Sequence, residues 1–191
     1  MIKFVFFLVI SAASCYGAAT LTTVRPVYCG EMPSKILKCL NNPQALIIQS
    51  KCQDEQPNLC TSLTCAFNQH KWLNGTEIDR VKLSAHFNQL AKDKPEWKSV
   101  FENIVARCVE RHLPALGVYI NCPAYDIMHC ALVNFIKKAP DSQWSTSADC
   151  VYPRQYAGAC PVCPNDCFAS QVPLNSCNAC YVVADGVGIV P

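Results

Sequence analysis

The run Cys108-Val-Glu-Arg-His-Leu-Pro-Ala-Leu-Gly-Val-Tyr-Ile-Asn-Cys122-Pro-Ala-Tyr-Asp-Ile-Met-His-Cys130-Ala-Leu-Val-Asn-Phe135 decides how this chain folds. It sets two cysteine-bearing segments on either side of a short irregular connector. Upstream, Trp97, Val100, Phe101, Ile104, Val105 and Cys108 recur at i, i+3, i+4, i+7, i+8 and i+11, one buried face at 3.6 residues per turn. Downstream, Ala124, Ile127, Met128, Ala131, Leu132 and Phe135 repeat the rhythm, with Cys122 at the entrance and Cys130 within. Two apolar faces stapled by half-cystines are rigid without dense packing, which allows a cavity between them.

Residues 1–19 stand outside this pattern. Lys3 precedes an unbroken apolar run, Phe4 to Ile10, and then a run of small residues, which reads as a secretory signal peptide. Cys15 and Gly17, or Gly17 and Ala19, fit the small positions before a cleavage site. The run is much shorter than the about 20 apolar residues of a membrane anchor. A bacterial lipoprotein signal ending at Cys15 is disfavoured, because Ala12 stands where a large aliphatic residue is usual. The reading is a secreted, extracellular chain of about 170 residues, one domain with an extension.

Of 15 cysteines, removing Cys15 leaves Cys29, Cys39, Cys52, Cys60, Cys65, Cys108, Cys122, Cys130, Cys150, Cys160, Cys163, Cys167, Cys177 and Cys180. Their even number permits complete pairing in an oxidising compartment. Each bridge typically contributes about 2–4 kcal/mol, so stability need not come from the core alone. Charge is nearly balanced, 16 basic against 14 acidic residues, and no basic stripe exists beyond Lys137-Lys138. Nucleic acid is therefore not an expected partner.

Working toward the N-terminus, Pro95 fits the first turn of the helix that carries Trp97. Residues 79–92 predict a helix with Leu83, Phe87, Leu90 and Ala91 on one face. Trp72-Leu73-Asn74-Gly75 reads as a turn, and Asn74-Gly75-Thr76 is an N-glycosylation sequon. Residues 57–70 predict a helix through Leu59, Cys60, Leu63 and Phe67. Cys60 and Cys65 lie about 140° apart around it, so they should reach different partners. Shorter helices are expected at 34–40 and 44–52, opened by Pro33 and Pro43. The last clear helix starts at Cys122-Pro123 and ends before Pro140. The fold class expected is all-α, with six to seven short helices crosslinked around a hydrophobic cavity over residues 20–144. Residues 145–191, rich in cysteine and proline, read as a disulfide-clamped extension with few regular elements, or as a small separate subdomain.

Cys60-Thr-Ser-Leu-Thr-Cys65-Ala-Phe, the gap of 42 residues to Cys108, and Cys122-Pro-Ala-Tyr-Asp-Ile-Met-His-Cys130 resemble the insect odorant-binding proteins, helical carriers of hydrophobic semiochemicals. The Cys150 to Cys180 segment looks like the subgroup with added cysteines, usually called Plus-C. Four residues separate Cys60 and Cys65 where the family usually has three, and seven separate Cys122 and Cys130 where it usually has eight. Cys29, Cys39 and Cys52 compete for the family's first cysteine. The resemblance implies bridges Cys60–Cys122 and Cys108–Cys130, with Cys65 paired to Cys39 or Cys29.

Function follows from weighing this against other chemistry. Cys160-Pro-Val-Cys163 and Cys177-Asn-Ala-Cys180 have the form of a zinc ribbon, but after a signal peptide, with Cys150 and Cys167 nearby, disulfides are expected and no metal. Asp126 and His129 sit three apart on a helix, yet no calcium loop, Ser-His-Asp order or phosphate loop accompanies them. His129 reads as a partly exposed residue beside a bridge. No enzyme and no cofactor is expected. The expected function is carriage of a small hydrophobic ligand, odorant- or pheromone-like, in a cavity lined by Leu83, Phe87, Leu90, Trp97, Phe101, Val105, Ile127, Met128, Ala131 and Phe135. Tyr119, Tyr125 and Trp97 are candidate polar tips. Burying a ten-carbon guest gains roughly 8 kcal/mol; association costs several of these, and micromolar affinity remains. A membrane receptor and a second copy of the chain are the further partners this reading allows. The alternative is a Cys-rich secreted interaction or inhibitor protein without a small-molecule ligand.

Overall fold

The computed structural model describes residues 27, 29–41, 52, 58–113, 119, 121–163, 183–184 and 187–188. Within them the chain is mostly helical, with five α-helices and two small hairpins. No described helix is long and apolar enough to cross a membrane. The signal-peptide reading, the helix expected at 44–52 apart from Cys52, and Cys167, Cys177 and Cys180 lie outside the described residues.

A 3-10 turn, Ile36–Cys39, occupies the place of the first predicted helix. Helix α1, Leu59–Gln69, starts at a capping box: Asn58 accepts the Thr61 backbone N–H at 3.0 Å, and the Thr61 hydroxyl answers the Asn58 N–H. Trp72-Leu73-Asn74-Gly75 becomes one arm of a hairpin, β1 (Leu73–Asn74) pairing antiparallel with β2 (Glu77–Ile78). Gly75 turns the corner with φ +65°, a region that costs glycine nothing. Asn74, the sequon asparagine, is exposed at the end of β1.

Helix α2, Arg80–Asp93, is capped by the Asp79 carboxylate, which accepts the Lys82 backbone N–H at 3.1 Å. Pro95–Trp97 forms a 3-10 turn that leads directly into α3, Lys98–Ile104. The helix then widens into a π turn, Val105–Val109, whose ladder is closed by Glu110 N–H donating to the Val105 carbonyl at 3.0 Å. One extra residue per turn lets Cys108 and Val109 both face inward, where the 3.6-residue rhythm placed only Cys108. The Arg80 guanidinium donates to the Val109 carbonyl and, at 2.8 Å, to that of Arg111, satisfying orphan groups at this helix end.

Helix α4, Pro123–Lys137, is the centre of the molecule. Ala124, Ile127, Ala131 and Phe135 form one buried stripe, while Tyr125, His129 and Ile136 are buried on others. A helix apolar or covered on most sides must be packed on most sides, and α1, α3 and α5 all contact α4.

Helix α5, Val151–Ala159, is a regular element in the segment after Trp144, where few were expected and none was placed. It follows a 3-10 turn, Ala148–Cys150. Pro153 falls in its first turn, where no intrahelical donor is needed, and Pro153, Tyr156 and Ala157 bury at i, i+3 and i+4. The apolar stripe spans little more than one turn, too short to be read as a period. Near the end, Val183–Ala184 pairs antiparallel with Val187–Gly188.

Five bridges are described. Cys60–Cys122 ties α1 to α4, and Cys108–Cys130 ties the π turn to α4, both as the resemblance implied. The expected pairing of Cys65 with Cys39 or Cys29 is overturned: Cys65 bonds Cys52, thirteen residues away. Cys29 and Cys39 are committed elsewhere, to Cys160 and Cys150 at the two ends of α5. Backbone pairing runs beside these bridges, with Ser145 N–H donating to the Cys39 carbonyl and Asn41 N–H to the Gln143 carbonyl, both at 2.8 Å.

Candidate functional site

The interior is built where α2, α3 and α4 turn their apolar stripes toward one another. Leu83 and Phe87 of α2, Trp97, Phe101 and Val105 around α3, and Ile127, Ala131 and Phe135 of α4 are buried in a single apolar cluster. Leu90 and Met128 are partly buried against it. The proposed lining residues therefore meet in one place, with one exception. Tyr119 packs in a second, small cluster with Tyr125 and Cys122, its ring 4.8 Å from that of Tyr125 in a T-shaped arrangement.

Four aromatic rings form the spine of the main cluster. Trp97 stacks on Phe135 with centroids 4.0 Å apart, and Phe101 lies 6.4 Å from Phe135 and 6.3 Å from Phe87. The Trp97 side chain is 0% exposed, and its Nε1–H finds no hydrogen-bond acceptor among the described residues. A buried, unsatisfied donor costs free energy, so this atom is the most conspicuous polar feature of the interior.

Val100 and Ile104 belong to the same cluster, on the periodic face already visible in sequence, and the π turn adds Val109 to it. Tyr156 and Val162 join it as well, and nothing in the sequence announced them because α5 was not legible. The Tyr156 hydroxyl donates toward the Gly30 carbonyl at 2.9 Å and lies 3.1 Å from that of Pro161. Burial, with a smaller effect of Tyr152, pushes its pKa up to about 12.

His129 is buried, 8% exposed, rather than partly exposed as its position beside a bridge suggested. The Val162 backbone meets His129 on a face of α4 that the sequence left open to solvent. Loss of solvation pulls its pKa down to about 4, opposed by a hydrogen bond to the Val162 backbone. Its Nε2 has no partner among the described residues. At neutral pH it is an uncharged imidazole with an acceptor nitrogen, stacked in parallel with Tyr125 at 6.2 Å.

The first Cys-x-x-Cys pair has no thiolates for a metal, because Cys160 is bonded to Cys29 and Cys163 is also in a disulfide. Asn134 connects the helices at the Cys108–Cys130 bridge: it accepts from Asn103 at 2.6 Å and donates to the Cys130 carbonyl at 2.9 Å.

Fold and bridges define a disulfide-crosslinked, mostly helical protein with one main apolar interior. No protein-family model matches the chain, and no curated protein matches it.

Proposed function

We propose that this chain is a secreted carrier related to the insect odorant-binding proteins of the type with added cysteines, taking up a small hydrophobic ligand between α2, α3 and α4. One observation carries the reading: Cys52–Cys65, Cys60–Cys122 and Cys108–Cys130 tie together α1, the π turn and α4, which pack on the main apolar cluster. Two of these pairings are those the resemblance implied, and the third gives Cys65 a partner from the three cysteines that competed for the family's first position. Bridges of this number belong in an oxidising compartment, in keeping with secretion behind the signal peptide.

The mechanism is partition. A guest exchanges water for the side chains of Leu83, Phe87, Phe101 and Ile127, gaining roughly 0.8 kcal/mol per buried methylene. The bridges hold the helices, so less ordering remains to be done on binding. No covalent step is involved. The test is displacement of a fluorescent apolar probe by a panel of volatile and semi-volatile compounds. Displacement at micromolar concentration supports the carrier; no displacement by any member favours the alternative of an interaction protein.

A further inference from the structure

The carrier reading leaves the chemistry of the guest open, and the polar atoms of the interior narrow it. Trp97 is completely buried among Phe101, Phe135 and the rest of the main cluster, yet its Nε1–H has no acceptor among the described residues. A tryptophan with its polar edge buried normally has a partner for it. An indole nitrogen donates and cannot accept, so whatever satisfies it must bring a lone pair.

Charge narrows the choice again. Among the described residues, apart from the phenols Tyr125 and Tyr156, the buried ionisable side chains are Asp126 and His129. His129 is uncharged at neutral pH, and no lysine or arginine among the described residues is buried with it. An anionic guest would enter without a counter-charge, which is heavily penalised in a low-dielectric site.

Resting on the carrier reading above, we infer that the guest is a neutral apolar molecule bearing a hydrogen-bond acceptor, a ketone, aldehyde or ester, whose oxygen takes the Nε1–H of Trp97. Fatty-acid anions are poor guests. Plain hydrocarbons bind by partition alone, without a fixed orientation.

The experiment compares decan-2-one, decane and decanoate at pH 7 by probe displacement from the disulfide-intact chain and its Trp97→Phe variant. The substitution removes the donor and keeps an aromatic ring. The expected result is a loss in affinity for the ketone about tenfold greater than the loss for decane, a difference that isolates the hydrogen bond. Decanoate binds more weakly than the ketone to the unaltered chain. Independently of how the variant folds, the indole 15N–1H resonances of the unaltered protein give a second readout, in which the Trp97 signal shifts with decan-2-one and stays in place with decane. Equal losses for ketone and alkane with no selective shift overturn the inference while leaving the carrier intact, as does decanoate binding as tightly as the ketone. Binding of none of the three removes the carrier reading and this inference with it.

Discussion

The indole of Trp97 lies flat on the ring of Phe135, with centroids 4.0 Å apart and planes 9° apart, and so joins the entrance of α3 to the last turns of α4. Both residues are 0% exposed. Phe135→Ala should cost about 3–5 kcal/mol, the range for removing a buried phenyl group. Urea unfolding of the disulfide-intact protein measures it, and a cost under about 1 kcal/mol would mean the site collapses around the loss.

Two bridges act in parallel on α5. Cys29–Cys160 closes 131 residues and Cys39–Cys150 closes 111 within them. With one bridge intact, breaking the other opens only the difference, twenty residues, which corresponds to about 3 kcal/mol in the chain-entropy account. Breaking both also opens the long loop, for a total of about 8 kcal/mol. The double removal should therefore exceed the sum of the two single ones. Serine pairs at each bridge, compared by denaturant midpoint, check this; strict additivity would contradict it.

His129 should make stability depend on pH below neutrality. Its folded pKa is about 4 against an ordinary 6.5, so the unfolded chain binds the proton more readily. The stability is fully present above pH 6.5 and is lost as pH falls toward 4, by about 3 kcal/mol in all. His86, half-buried, is shifted down by lost solvation and by His70, and adds in the same direction. His129→Asn should flatten most of the slope between pH 6.5 and 4, measured as unfolding free energy at several pH values. An unchanged slope would place the dependence elsewhere.

Tyr156 fastens α5 to the N-terminal segment through its bond to the Gly30 carbonyl. Tyr156→Phe keeps the ring and leaves that acceptor unpaired, so a loss of about 1–3 kcal/mol is expected. Faster hydrogen exchange in α5 than in α2 would accompany it.

What the sequence revealed follows from how much period each element carries. Helices α2 and α4, and the run from Trp97 through α3 to Cys108, repeat their apolar residues over more than two turns, and their faces meet in one cluster. Helix α5 offers Pro153, Tyr156 and Ala157 only, and its burial depends on partners more than a hundred residues away, Gly30 and Cys39 among them. That distant packing also explains His129: one face of α4 was legible, and the cover on its other face was not. Cysteine pairing shows the same division. Cys60–Cys122 and Cys108–Cys130 are the pairings the resemblance implied, whereas Cys29 and Cys39 follow α5.

The most direct test of the account is equilibrium dialysis of the disulfide-intact chain against labelled decan-2-one. The account predicts retention of one guest per chain with micromolar affinity, abolished when the bridges are reduced and the chain unfolds. No retention above that of the reduced, unfolded chain would contradict it.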